Sequence, residues 1–207
     1  MKRSRQLDLP LRTWGGKRRG AGRKPKGARA GVPHRTRPRL SRHHPVHVTW
    51  RVREEIWNLR TRRAFRQIAR AFAAAYARGR GFRLIHFSVQ GNHLHLVCEA
   101  DDQLRLSRGL QGLAIRIARG INRLMQRRGS VFADRFHEHM LRTVREVAHA
   151  VRYVLGNFAI HALRRGDGLP ARYVDPFSSA APPGTGPPLV HQPTTWLLSI
   201  GWKRAAA

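Results

Sequence analysis

His93 and His95 stand one residue apart in the run GNHLHL, residues 91–96. On a strand, residues i and i+2 project to the same face. The two imidazoles therefore stand side by side, while Leu94, Leu96 and Cys98 turn toward a core. Paired neutral imidazoles suit a divalent cation; two polar histidines on a solvated strand face are the plainer reading of that spacing. A second set lies further along. Tyr153 and Asn157 are four residues apart, one turn apart on a single helix face. A tyrosine hydroxyl, with a pKa of ~10, is a poor nucleophile at pH 7. It attacks a phosphodiester when a metal polarises the scissile phosphate and stabilises the developing charge. Two histidines and one carboxamide can hold such a metal and leave positions open for phosphate oxygens. The plainer reading of Tyr153 is an amphipathic-helix residue with a wet hydroxyl. His137-Glu138-His139 repeats the spacing on another predicted strand. Strand geometry alone does not separate a rival site there from a contribution to the first.

These residues need elements to position them. PVHVTWRV alternates, with Val46, Val48, Trp50 and Val52 on one face and His47, Thr49 and Arg51 on the other, as in a half-buried strand. Phe65, Ile68, Phe72 and Tyr76 follow helical spacing, and Gly79 and Gly81 end that helix. Residues 82–90 and 93–100 read as two strands joined by a Gly91-Asn92 hairpin turn. Leu110, Leu113, Ile117, Ile121 and Leu124 make the apolar stripe of the strongest helix. RFHEHML, residues 135–141, reads as a fourth strand. Thr143 and Glu146 form a capping box that opens a last helix, ending near Gly166. The order predicts an α+β domain. It is a ferredoxin-like βαββαβ antiparallel sheet, helices on one face, with an added C-terminal helix carrying Tyr153.

Composition divides the chain into a basic N-terminal tail over 1–44, a folded domain over 45–165 and a Pro/Gly-rich linker over 166–207. The tail holds 15 Lys and Arg against one acid, Asp8, and reads as disordered when free. Within it, Lys17, Arg18, Arg19, Arg23 and Lys24 are candidate DNA contacts, either as a phosphate-binding tail or as a hook in a narrow A·T-rich minor groove. The linker ends in a short apolar piece whose Trp196, Leu197, Leu198 and Trp202 are expected to dock on the domain.

The charge narrows the partner. With 41 Lys and Arg against 11 Asp and Glu, the formal charge is +30, which points to a polyanion and first to nucleic acid. A protein scaffold does not account for it. No apolar run approaches the ~20 residues of a membrane span, and the N-terminus lacks the apolar region of a signal peptide. Cys98 is the single cysteine, which excludes an internal disulfide and a cysteine-rich zinc module and fits a reducing cytoplasm. A zinc deaminase is excluded because its two-cysteine ligand set is absent. An RNA-binding sheet needs aromatic readers on two central strands, and HLHLVCEA carries imidazoles instead. Arg116, Arg119, Arg123 and Arg127 lie opposite the apolar stripe with few acids among them, a candidate DNA-binding face. Trp50, Trp57 and Phe87 are candidate base-stacking aromatics.

NHLHL, a long helix, RFHEHMLRT and a helix carrying RYVLGN, in that order over roughly residues 45–165, resemble the single-tyrosine HUH transposases, in the branch of the REP-associated tyrosine transposases. The resemblance implies a Mg²⁺- or Mn²⁺-dependent nuclease and strand transferase on single-stranded or hairpin DNA, a 5′-phosphotyrosine intermediate and DNA transposition by recombination. It maps the paired histidines onto His93 and His95, the nucleophile onto Tyr153 and the metal-binding carboxamide onto Asn157. It leaves a homodimer open. Gly91 stands where members usually carry proline before the histidine motif, and Phe158 follows Asn157 where they often carry proline. That second departure keeps an alternative in view, a decayed or domesticated relative that binds hairpin DNA without cleaving it.

Overall fold

The computed structural model describes residues 40–170 and 172–204; the candidate DNA contacts from Lys17 to Lys24 lie outside them. The elements run β1 (Val46–Arg51), α1 (Arg62–Arg78), β2 (Phe82–Val89), β3 (His93–Ala100), α2 (Gln103–Leu124), β4 (His137–Met140) and α3 (Val144–Arg164). The four strands form one antiparallel sheet in the order β2-β3-β1-β4. That is the expected ferredoxin-like α+β arrangement with its added helix.

Local chemistry explains the element ends. Thr61 caps α1 by accepting from Ala64 N, and Gly79 closes it at φ 44°, a left-handed conformation that suits glycine. Asp102 caps α2 by accepting from Arg105 N. Both halves of the Thr143–Glu146 capping box are formed at α3. The Gly91-Asn92 turn is closed by Gln90 N donating to His93 O at 2.8 Å.

The two faces of the sheet have different fates. Val46, Val48, Trp50, Leu94, Leu96 and Cys98 face α1 and α2, and Leu110, Leu113 and Ile117 of α2 close over them with no exposed surface. Full burial of each such aliphatic stabilises by about 1.5–3 kcal/mol. The opposite face is not left open as expected. There α3 lies across it, packing Val147, Val151 and Val154 against Ile85 and Val97. Trp50 and Phe87 are buried in the main core and are unavailable to stack bases; Trp57 is exposed.

Both expected domain boundaries move. Leu40 is buried in the core, so the fold begins before residue 45. The Pro/Gly-rich segment is a strap rather than a free linker. Val89 N donates to Phe177 O at 2.9 Å, Ser179 N to Phe87 O at 3.0 Å and His191 N to Leu84 O at 2.7 Å, covering the outer edge of β2. Glu99, fully buried on β3, accepts from the backbone N–H of Thr194 and Thr195 and from both hydroxyls. Beyond it a π-helical turn, Leu197–Gly201, leads into α4, Trp202–Arg204. Leu198 is buried against α3, and Leu197 and Trp202 pack beside it, while Trp196 stays exposed. Composition signals a lack of regular structure. It is blind to backbone hydrogen bonds made with a strand edge.

Candidate active site

The β1–β3 register places Thr49 opposite His95 and Arg51 opposite His93. This sets residues of both central strands side by side on the face that α3 covers. The Tyr153 ring meets the His95 ring edge-on, with centroids 5.0 Å apart, and the His47 ring at 6.1 Å. Tyr153 remains 41% exposed, so its hydroxyl is within reach of a substrate. The sequence-predicted nucleophile and histidine pair thus meet in one chain.

Hydrogen bonds orient both histidines. His93 Nδ1 lies 2.8 Å from Asn92 Oδ1, which can only accept, so the ring carries its proton on Nδ1. The Nε2 lone pair is left available. His95 Nδ1 lies 3.2 Å from Thr49 Oγ1 and 3.2 Å from His47 Nε2. A proton on His95 Nδ1 donates to these two acceptors and frees Nε2 in the same way. His95 Nε2 is buried with no partner.

The same holds for Asn157. It is 1% exposed, and neither Oδ1 nor Nδ2 has a partner. An unpaired buried amide costs about 1–3 kcal/mol per group, so an oxygen-seeking ligand is the expected compensation. The donor chemistry of His93, His95 and Asn157 fits a divalent cation. Among the described residues, no group of three or more His, Cys, Asp and Glu side chains is arranged to hold a metal. A third donor for the histidine pair has to come from elsewhere, and the carboxamide is of the right type.

Burial keeps the imidazoles neutral. It pushes His95 down to about 3, with repulsion from His93, His47 and His161 adding to it. His47 is pushed down to about 4 by burial, then by His139 and His137. His93 is lowered by burial, then by Arg51 and His161. Neutral rings are what a metal site requires.

The second His-x-His shares this face but not this position. His139 pairs with His47 and His137 with Thr49, so β1 stands between them and the first pair. His139 borders an open cleft of about 750 Å³ beside Tyr153, together with Leu141, His149 and Ala150. His139 Nε2 lies 4.0 Å from Glu146 Oε1.

The predicted arginine stripe separates into parts. Arg119 and Arg123 are exposed on α2. Arg116 turns back to donate to Gly112 O at 2.7 Å. Arg127 lies past the helix end; its guanidinium faces Glu55 at 3.5 Å and donates to Ser130 O at 3.2 Å. Its assignment to the stripe fails because α2 stops at Leu124.

Four supporting residues carry no chemical signal in the sequence strong enough to single them out. Alternation puts Thr49 and His47 on the open face, but their meeting with His95 depends on β1 lying beside β3. Asn92 reads only as a turn residue. His161 continues the spacing of four from Tyr153 and Asn157, which is the one signal that could have found it.

Fold and site define a small α+β domain whose sheet carries paired, neutral imidazoles beneath a helix-borne tyrosine. The family model described as Transposase IS200 like matches residues 41–157, more than half of the chain, and the chain belongs to that family. A solved REP-associated tyrosine transposase bound to a REP hairpin shares the fold. Its TM-score is 0.53 at 18% identity, over 72% of this chain and 82% of that one. No curated protein matches the chain. No described helix is long and apolar enough to cross a membrane.

Proposed function

We propose that the protein is a metal-dependent endonuclease and strand transferase acting on single-stranded DNA at hairpin sites. The observation that carries this reading is the Tyr153 ring against His95, whose buried Nε2 has no partner; Asn157, one turn beyond Tyr153 on α3, is likewise buried with its amide unpaired. Family membership supports transposition chemistry, and the fold neighbour's bound hairpin supports the substrate class.

In this reading Tyr153 Oη attacks the scissile phosphorus. A tyrosine O–P bond forms as the P–O3′ bond breaks, and the proton balance leaves a free 3′-hydroxyl and a 5′-phosphotyrosine. The link conserves the phosphodiester's energy for rejoining. His93, His95 and Asn157 would hold Mg²⁺ or Mn²⁺, which supplies Lewis-acid stabilisation of the phosphate when bound. Asn92, Thr49 and His47 fix the ring orientations. The exposed Arg119 and Arg123 hold phosphates, and Lys17, Arg18, Arg19, Arg23 and Lys24 are further candidate DNA contacts.

The test is incubation with labelled hairpin oligonucleotides in Mn²⁺ and in EDTA, with wild type and Tyr153→Phe. The expected result is a covalent adduct that requires metal and Tyr153. Retained binding in both proteins with no adduct in any metal would make the protein a binding-only relative.

A further inference from the structure

The hydrophobic hold on α3 is uneven. Val147, Val151 and Val154 fix its first part to the sheet. Beyond Val154 the buried residues are only Asn157 and Ala162, while Ile160 and Leu163 are exposed. Yet this second part carries the carboxamide of the site.

What holds it is Arg60, which precedes α1. Its Nη2 and Nη1 donate to Asp175 Oδ1 at 2.8 Å and Oδ2 at 2.9 Å, and Nη1 also donates to Val89 O at 2.9 Å. Its Cζ lies 3.6 Å from the centroid of the Phe158 ring and 4.7 Å from that of Phe177. The ion pair is nearly enclosed, with side chains 11% and 3% exposed. One guanidinium therefore joins the end of β2, the strap and α3. Phe158 is the residue directly after Asn157, and it stands where the resemblance leads one to expect proline. Phe158, Asp175 and Phe177 all fall beyond the family match, which ends at residue 157.

We propose that Arg60 is a positioning residue for strand cleavage, acting through Phe158 to fix Asn157 over the histidine pair. The strap segment carrying Asp175 and Phe177 is thereby part of the catalytic apparatus. The inference rests on the nuclease reading given above. A planar fork that pairs with a carboxylate while stacking on a ring is a property of arginine that lysine lacks. Leucine at 158 keeps apolar volume but removes the ring face.

The test compares wild type, Arg60→Lys and Phe158→Leu, both chosen to spare the fold better than alanine. Single-turnover cleavage at saturating hairpin and Mn²⁺ is expected to fall roughly 10- to 100-fold, the cost of a small misplacement of a catalytic group. Hairpin affinity is expected to stay within about twofold, because the substitutions leave the exposed Arg119 and Arg123 in place and Arg60 is already spent on the nearly enclosed Asp175. Amide hydrogen exchange is expected to accelerate over residues 157–164 and to stay slow over 147–154. Wild-type cleavage in both variants would overturn the proposal, and so would equal acceleration across all of α3, which marks general destabilisation. Should wild type itself form no adduct, the nuclease reading falls. Exchange and Mn²⁺ affinity then decide the clamp, which stands only if residues 157–164 loosen and Mn²⁺ binds more weakly.

Discussion

Thr49 Oγ1 lies 3.2 Å from His95 Nδ1, directly across the β1–β3 ladder. The hydroxyl can accept from Nδ1–H, and in that tautomer Nε2 carries a free lone pair. Thr49→Val keeps the shape and the strand propensity but removes the acceptor. Mn²⁺ affinity is expected to fall roughly 10- to 100-fold, the usual effect of losing a partner behind a metal-binding histidine. Calorimetric titration measures it, and unchanged affinity would remove Thr49 from the site's support.

Asn157 poses a conflict between stability and function. Its amide is buried and unpaired. Asn157→Leu is expected to stabilise the metal-free protein by about 1–3 kcal/mol, since an orphaned polar group is replaced by an apolar one. The same change is expected to abolish stabilisation by Mn²⁺. Urea titrations in EDTA and in Mn²⁺ test both halves. A less stable metal-free variant would mean that the amide has a partner in solution.

The buried His95 and the half-buried His47 and His86 set a pH dependence. His47 and His86 are pushed down to about 4 and His95 to about 3, each mainly by burial, against 6.5 when unfolded. The unfolded chain therefore binds protons below pH 6.5 that the folded chain refuses. Stability is fully present above 6.5 and falls as pH drops toward 4. Glu99 adds a loss at lower pH. Burial alone would raise its pKa, but hydrogen bonds from Thr194 and Thr195 outweigh burial and hold it below 4.5. Urea midpoints in EDTA at several pH values read this directly. His86→Gln, at a position paired with Val97 and not among the candidate metal donors, should flatten part of the slope.

Salt dependence separates the arginines. Arg119→Ala and Arg123→Ala are each expected to reduce the slope of log affinity against log salt by about 0.7–0.9 for every phosphate no longer neutralised. Arg127→Ala is expected to leave the slope unchanged, since Arg127 is occupied by Glu55 and Ser130 O. Equal effects from all three would restore a continuous stripe.

Much of this arrangement is legible in the amino-acid sequence. The alternation of Val46 to Val52 and the stripe from Leu110 to Leu124 mark a strand and a helix, because local periodicity records burial. His93 with His95, and Tyr153 with Asn157, are readable because each pair is close in sequence. The Asn92, Thr49 and His47 contacts are not, since two of them depend on strand order and the third on a turn rotamer. The strap reads as linker for a related reason. Its stability comes from Arg60 and Glu99, partners on distant elements whose own sequence context looks ordinary.

Glu99 and Thr194 are 95 residues apart. Synthesis runs from one end to the other at about 5–20 residues per second, so the carboxylate on β3 waits roughly 5–20 s for its donors. Asp175 reaches Arg60 late as well. A chain still on the ribosome can lay down its sheet, both covering helices and the first part of its tyrosine helix while the second part has yet to be fastened. Fastening that second part is thus a late event of translation. A message cut short before the strap would yield a sheet and tyrosine helix lacking the Arg60–Asp175 and Glu99–Thr194 contacts.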